Sequence, residues 1–103
     1  MTLKSTASSL AALGHETRLT IFRLLIKAGD DGLIVGDIAE HLGAAPSTLA
    51  HHLKALVDAG LVIQERKGRQ ISNRVDYDAM RATLDFLTSE CCVGVALSTK
   101  SAA

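Results

Sequence analysis

The stretch that most constrains the fold runs from Ala45 to Gly60, because it encodes a helix with two unlike faces. Its apolar residues recur at i, i+4, i+7 and i+8, which predicts one inward stripe. The stripe consists of Leu49, Leu53, Leu56 and Val57. Pro46 suits the first helical position, where its missing N–H costs nothing, and Gly60 suits a left-handed stop. We expect a helix between these two residues.

The opposite face of this helix carries hydroxyls, imidazoles and one amine. Its members are Ser47, Thr48, His51, Lys54, Ala55 and Asp58, with His52 at the border. Short donors and acceptors of this kind can reach base edges in a DNA major groove. Many surface helices also place polar residues opposite a leucine stripe, so the neighbouring elements must decide between recognition and an ordinary solvated face.

Those neighbours predict a mainly α fold with one β-hairpin. Helical periodicity precedes the stretch three times, and an alternating pattern around Gly68-Arg69 indicates a hairpin after it. The predicted helices are Thr6–Leu13, His15–Ala28, Val35–Leu42, the Pro46 helix and Tyr77–Cys92, and the predicted strands are Leu61–Lys67 and Gln70–Asp76. A short helix linked by a few residues to one with a polar face is typical of a helix-turn-helix. The order ααααββα therefore predicts a winged helix-turn-helix.

The hairpin concentrates positive charge, although the whole chain has 11 basic and 11 acidic residues and no net charge. Lys67 and Arg69 flank the turn glycine, where a wing would meet DNA phosphate. The alternative is that these charges only protect an edge strand. We predict base contacts from Ser47, Thr48, His51 and His52, and phosphate contacts from Lys54, Lys67, Arg69 and Arg74. If a charged histidine donates to phosphate, DNA binding strengthens below about pH 6.5.

The length of 103 residues predicts one domain, 1–103, with 93–103 as a flexible tail. A hydrophobic fraction of 48% is high for so small a domain and suggests burial against a second copy. The last helix offers a narrow a/d seam for such a homodimer. We assign this interface to Tyr77, Met80, Leu84 and Leu87, with Cys91 one turn further on. The same stripe packed inside the monomer is the alternative.

The chain shows no signal peptide and no apolar run of membrane-spanning length, so we expect a cytoplasmic protein that is not membrane-bound. Cys91 and Cys92 are then expected to be reduced thiols. No nucleophile, base and oxyanion site can be grouped from the sequence, and we expect no enzymatic activity.

Four stretches resemble the ArsR/SmtB family of bacterial metal- and metalloid-responsive repressors. They are LGHETRLTIFRLL at Leu13–Leu25, the helix-turn-helix of Gly36–Val62, the wing RKGRQISNRV at Arg66–Val75, and ECC at Glu90–Cys92. The vicinal thiols resemble those of some arsenic-responsive members. The resemblance implies a homodimer that binds double-stranded operator DNA and leaves it when an ion binds. Leu33–Asp37 lacks the Cys-x-Cys motif of other members, the last helix lacks histidine for zinc, and no third cysteine follows Cys92.

Adjacent thiols suit trivalent arsenic or antimony, because soft ligands prefer soft centres. We expect Cys91 and Cys92 to bind As(III) or Sb(III), including methylated or aryl arsenicals, with a hydroxide, small thiol or distant group as third ligand. Successive helical residues point about 100° apart, so the sulfurs converge only if the last helix bends or unwinds near Glu90. Two alternatives remain: a thiol-based redox sensor, and a winged helix with no small inducer or used only for protein contacts.

Overall fold

A computed structural model describes residues 1–97 of the chain, and within them it contains five α-helices and one two-stranded antiparallel sheet. The elements are α1 (Leu3–Leu13), α2 (Glu16–Ala28), a 3-10 turn (Gly29–Asp31), α3 (Val35–Leu42), α4 (Pro46–Asp58), β1 (Val62–Lys67), β2 (Gln70–Val75) and α5 (Tyr77–Thr88). This is the predicted order ααααββα with one added 3-10 turn. Of the predicted tail 93–103, residues 98–103 lie outside the described residues.

The core lies between α2, α4 and the base of the hairpin. Leu53 and Leu56 of α4 are fully buried in one cluster with Ile21 and Leu25 of α2. Leu61, just before β1, is equally buried and joins the sheet to that cluster. The predicted leucine stripe of α4 is therefore confirmed as the side that fixes this helix to the domain.

The ends of α4 follow from the residues that flank it. Pro46 is the first helical residue, and the preceding Ala45 is extended, as expected for a residue before proline. Gly60 has φ +79°, and the Leu61 amide donates to the Leu56 carbonyl at 3.0 Å. Because glycine adopts positive φ without steric cost, the chain turns here from helix into strand. The helix-turn-helix of α3 and α4 is confirmed.

The hairpin is anchored at its base to the turn before α3. The register pairs Val62 with Val75 and Lys67 with Gln70, which leaves Gly68 and Arg69 as the loop. Asn73 exchanges both backbone hydrogen bonds with Leu33, at 2.8 and 2.9 Å, and its side-chain amide donates to the Leu33 carbonyl at 3.1 Å. These bonds hold the base of the wing while its tip extends into solvent.

The last helix is shorter than predicted and ends at Thr88 rather than Cys92. The Cys91 amide bonds to the Thr88 carbonyl at 2.8 Å, so the backbone continues as a tighter turn instead of a helix. The side-chain hydroxyls of Thr88 and Ser89 also bond to carbonyls of the preceding turn, those of Leu84 and Phe86. Phe86 is the last half-buried side chain of α5, and beyond it every described residue is exposed. The apolar spacing in the sequence continues beyond Phe86, but the packing that supports a helix ends there.

The first helix begins earlier than predicted, at Leu3 rather than Thr6. Thr2 and Ser5 cap each other: the Ser5 amide donates to the Thr2 hydroxyl at 3.0 Å, and the Thr2 amide donates to the Ser5 hydroxyl at 2.9 Å. Serine replaces the usual glutamate of a capping box, which explains why the pattern was missed. None of the helices among the described residues has the length and apolarity needed to cross a bilayer.

Candidate nucleic-acid interface and thiol pair

The outward face of α4 presents its polar residues to solvent. Ser47, Thr48 and His51 are all exposed, in the first two turns of the helix. Ala50 is exposed beside them, and sequence reasoning missed it because alanine carries no polar signal. A methyl group at this position can contact a thymine methyl in a major groove. The face therefore combines hydrogen-bonding side chains with one small apolar contact.

Lys54 continues this face one turn beyond Ala50, and its ammonium lies 2.8 Å from the Asp58 carboxylate. Both side chains are more than 60% exposed. An exposed i, i+4 ion pair contributes only about 0.3–0.5 kcal/mol. A DNA phosphate can therefore replace Asp58 as the partner of Lys54 at little cost.

His52 does not share this exposed face. Its ring is half-buried and packs against His15, the residue that caps the start of α2, with ring centroids 4.7 Å apart. The sequence predicts a base contact for His52, but the structure turns the ring toward α2 instead. Its border position in the helical projection explains the difference, since the projection alone does not show that α2 covers that side.

The tip of the wing carries three exposed cations: Arg66, Lys67 and Arg69. The Arg66 guanidinium lies 3.4 Å from the Gly68 carbonyl, so it folds back over the turn. Neither Lys67 nor Arg69 forms a salt bridge within residues 1–97. These two side chains are therefore exposed and free of salt bridges in that range, and their contact with phosphate stays a prediction.

Arg74 lies apart from the tip, at the base of the wing. It pairs with Ile63 across the hairpin, and its Nε lies 3.8 Å from a carboxylate oxygen of Glu65. The Arg74 side chain is only 32% exposed. At about 3.3 Å per residue, five residues separate it from Arg69 by roughly 17 Å of strand. The structure does not bring Arg74 together with Lys67 and Arg69.

The two cysteines lie in the turn that follows α5, and both are exposed. Their Cα atoms are 3.7 Å apart and their sulfurs are joined as a disulfide. Cys92 has φ +70°, the one non-glycine residue among 1–97 with positive φ, and this conformation turns its side chain toward that of Cys91. Two predictions are thus corrected: the sulfurs meet without unwinding any helix, and Cys91 lies beyond the seam of α5. A third prediction is also corrected, since the sequence predicts reduced thiols and the structure joins the two sulfurs.

The predicted dimer seam is divided by the structure into two parts. Tyr77 and Met80 are half-buried against the core of their own chain. Leu84 and Leu87 are 53% and 55% exposed on the last turns of α5. α1 packs against α5 and adds further exposed leucines, Leu3 and Leu10. Part of the stripe therefore belongs to the monomer, and the remainder forms an uncovered apolar surface.

Comparison with known proteins shows which proteins are similar to this chain. A family described as a helix-turn-helix domain matches residues 13–65. The arsenical resistance operon repressor of Staphylococcus xylosus is 33% identical over 87 residues, which cover 84% of this chain and 77% of that protein. A Halobacterium salinarum protein, named as a candidate arsenical resistance operon repressor, is 36% identical over 85 residues. The match covers 81% of this chain but only 65% of that protein.

Solved structures agree with these relatives. An ArsR-like transcriptional regulator from Rhodococcus sp. RHA1 superimposes with a TM-score of 0.75 at 31% identity, over 84% of this chain and 78% of that one. A homodimeric winged helix-turn-helix DNA-binding domain from Mycobacterium bovis superimposes with a TM-score of 0.69 at 26% identity, over 93% of this chain and 89% of that one. With its helix-turn-helix, its wing and these matches, the chain belongs to the ArsR/SmtB family of winged-helix transcriptional regulators, which are DNA-binding proteins and not enzymes.

Proposed function

We propose that this protein is a metalloid-responsive repressor that binds operator DNA as a homodimer and leaves it when As(III) or Sb(III) binds Cys91 and Cys92. The observation that carries the proposal is the convergence of the two exposed sulfurs in the turn after α5. Names of relatives point the same way, since the Staphylococcus xylosus protein is an arsenical resistance operon repressor. The proposal places the protein in the cytoplasm, where thiols are kept reduced.

Operator DNA is proposed to lie across α4 and the wing. Ser47, Thr48 and His51 would contact base edges, because they are exposed on the helix that follows the turn of the helix-turn-helix. The proposed phosphate ligands are Lys54, Lys67, Arg69 and, at the base of the wing, Arg74. Cations neutralise phosphates and release counterions, so binding should weaken as salt is added.

A second copy is proposed to cover the exposed leucines of α1 and α5. Leu84 and Leu87 lie on the same side of α5 at helical spacing, and each exposes more than half of its surface. The related Mycobacterium bovis domain is homodimeric. A two-fold dimer would present two copies of α4 about one DNA turn apart, which suits an inverted repeat.

The thiol pair fits a trivalent metalloid when it is reduced. As(OH)3 and two thiols give one arsenic held by two sulfurs and one hydroxide, with the release of two waters. No group of three or more His, Cys, Asp or Glu side chains within residues 1–97 is arranged to hold a metal ion. The chain therefore supplies two protein ligands, and the third ligand is a hydroxide, a small thiol or a distant group. Methylated and aryl arsenicals need only the two thiols.

Release from DNA is proposed to pass through α5. Cys91 follows Leu87 by four residues, so the thiol pair directly extends the helix that carries the exposed leucines. A metalloid bridge would fix the turn at Cys91 and Cys92 and so change how the end of α5 meets the second copy. An inducer shifts the dimer between two states only by its differential affinity for them, and a coupling of about 1–3 kcal/mol is typical.

A thiol-based redox sensor is the second candidate, and one observation favours it. The structure already joins Cys91 and Cys92, so an oxidised form is compatible with this backbone. Hydrogen peroxide and two thiols would give the disulfide and two waters. Glu90 beside the pair opposes this candidate, because a neighbouring carboxylate disfavours the thiolate that reacts with peroxide.

Fluorescence anisotropy of the reduced protein on its own upstream promoter DNA separates these candidates. The proposal predicts that arsenite and antimonite release the DNA, that Zn(II) does not, and that Cys91→Ser with Cys92→Ser abolishes release while leaving DNA affinity unchanged. Release by hydrogen peroxide but not by arsenite would favour the redox sensor. Tight DNA binding that ignores every addition would contradict both.

A further inference from the structure

Three histidines meet where the start of α2 touches the middle of α4. The ring centroids of His15 and His52 are 4.7 Å apart at 46°, and those of His51 and His52 are 5.6 Å apart at 61°. His15 and His52 belong to different helices, so their packing is a tertiary contact between α2 and the helix proposed to read DNA. His51, the residue of α4 that precedes His52, is exposed on the side proposed to face DNA.

His15 takes part in this contact through the same ring that caps α2. Its Nδ1 accepts a hydrogen bond from the Thr17 amide at 3.2 Å and so caps the start of α2. A proton on Nδ1 would remove the lone pair that accepts this bond. It would also place a positive charge at a helix N-terminus, where the helix dipole disfavours cations. The cap therefore holds the His15 ring at the start of α2, where it contacts His52.

The surroundings of His52 disfavour its charged form. Its Nδ1 is buried, and no group among residues 1–97 forms a hydrogen bond with it. Burial lowers the pKa of His52 below its usual value, and the positive charges of His15, Arg18 and His51 lower it further. These are the titratable groups that face His52, from α2 and from α4 itself. Neither His15 nor His52 forms a salt bridge with an acidic side chain in the described part of the chain.

Arg18 is already positively charged, so a second positive charge at the His15–His52 contact would be unfavourable. Its Nε donates a hydrogen bond to the Ala12 carbonyl at 2.7 Å, which fixes the guanidinium between the end of α1 and the histidines. A protonated His52 would bring a second cation beside it with no described carboxylate to compensate. The ring would then have to leave the contact. α4 would still be held by its buried leucines, but it would lose the contact that holds its outer side against the start of α2.

We propose that the His15–His52 contact is a proton-sensitive joint: the neutral rings hold α4 in its DNA-binding orientation, and proton uptake there weakens operator binding. His15 and His52 are positioning residues in this scheme, acting through His51 and the exposed face of α4. The inference rests on the proposed function, and it adds the proton as a second input that does not involve the cysteines. It also predicts that DNA affinity falls toward acid pH, whereas a charged histidine that contacts phosphate would make the affinity rise.

The direction of the effect follows from the lowered pKa of His52. Because the unfolded or displaced ring binds a proton more tightly than the packed ring, the packed state loses stability as pH falls below about 6.5. Each histidine that must release its proton on DNA binding weakens affinity by up to about tenfold per pH unit below that point. At pH 8 the joint is neutral and affinity is at its maximum.

The test is the dissociation constant for promoter DNA between about pH 8 and pH 5.5 at constant ionic strength. Wild type should lose affinity toward acid pH, by about three- to tenfold per unit below pH 6.5. Gln is neutral at every pH, so in His52→Gln the change in log Kd per pH unit should be at most half that of wild type. His41→Gln, which changes an exposed histidine of α3 outside this contact, is the matched control and should keep the wild-type dependence. His15→Asn retains a capping side chain and should also flatten the profile, which serves if His52→Gln folds poorly.

The outcomes separate this inference from the proposed function. Tight binding at pH 8 with a profile that stays flat to pH 5.5, or one that is unchanged in His52→Gln and His15→Asn, would overturn the inference alone. An affinity that rises toward acid pH and loses that rise in His51→Gln would also overturn it, in favour of a phosphate contact. Failure to bind promoter DNA at any pH would overturn the proposed function, and the proton-sensitive joint with it.

Discussion

α4 and α5 carry similar leucine stripes, but the two helices use them differently. The three leucines of the α4 stripe, Leu49, Leu53 and Leu56, are completely buried at 0% exposure. In α5 the stripe leaves the core, and Leu84 and Leu87 expose more than half of their surface. α4 packs against α1, α2, α3 and β1, whereas the main helical neighbour of α5 is α1. Spacing thus shows that a stripe exists, and the number of neighbours decides whether its own chain covers it.

The largest expected difference between the two stripes is in folding stability. Leu53→Ala should lower the free energy of unfolding by about 2–5 kcal/mol, because it leaves a cavity in the core. Leu87→Ala removes the same atoms from an exposed site and should cost less than about 1 kcal/mol in dilute solution. Urea unfolding at low and high chain concentration measures both effects. The Leu53→Ala loss should not change with concentration, whereas the Leu87→Ala loss should grow with it.

Equal losses that do not depend on concentration would remove the distinction between a stripe for the monomer and a stripe for a second copy. They would show that the exposed leucines of α5 stabilise nothing beyond their own chain.

Charge on the exposed stripe should dissociate the proposed dimer. Leu84→Asp with Leu87→Asp places two carboxylates where apolar surface would be buried, so sedimentation velocity should show a monomer at concentrations where wild type is a dimer. Ile71→Asp is a control on the wing, with 43% of Ile71 exposed, and should leave the dimer intact. A double variant that sediments like wild type would locate the dimer interface elsewhere.

The wing should show a smaller effect, graded along its length. Arg69→Ala should weaken binding to all DNA sequences alike and reduce the slope of log affinity against log salt by about 2, since each copy in the proposed dimer loses one phosphate contact. Arg74→Ala should reduce that slope by less, because Arg74 is mostly covered and faces Glu65. Affinities measured at several salt concentrations give both slopes. Equal slopes for the two variants would mean that the base of the wing contacts DNA as closely as its tip.

The sequence predicted the ends of an element well only where a residue that favours a helix start or stop stands at that end. Pro46 and Gly60 mark the ends of α4, and the structure places them within two residues of where the pattern does. No such residue marks the end of α5, since the next glycine is Gly94. The sequence pattern therefore predicts a helix that continues to Cys92, whereas α5 ends at Thr88.

The candidate site shows the same difference between features of a single element, which the sequence predicts, and contacts between elements, which it does not. Exposure of Ser47, Thr48 and His51 follows from the periodicity of one helix, so the sequence predicted it. The packing of His52 on His15 depends on how α2 crosses α4, and the convergence of the cysteine sulfurs depends on the positive φ of Cys92. Neither arrangement has a signature in residue spacing. The features that suggest regulation are thus the ones that required the structure.

Phenylarsine oxide tests the central claim most directly, because its arsenic needs only two protein thiols. We predict that the reduced protein binds one phenylarsenical per chain, seen as a mass increase, and releases promoter DNA at the same stoichiometry. Cys91→Ser and Cys92→Ser, made separately, should each abolish both effects while leaving affinity for DNA unchanged. Release that persists in either single variant, or binding without release in wild type, would contradict the account of Cys91 and Cys92 as the inducer site.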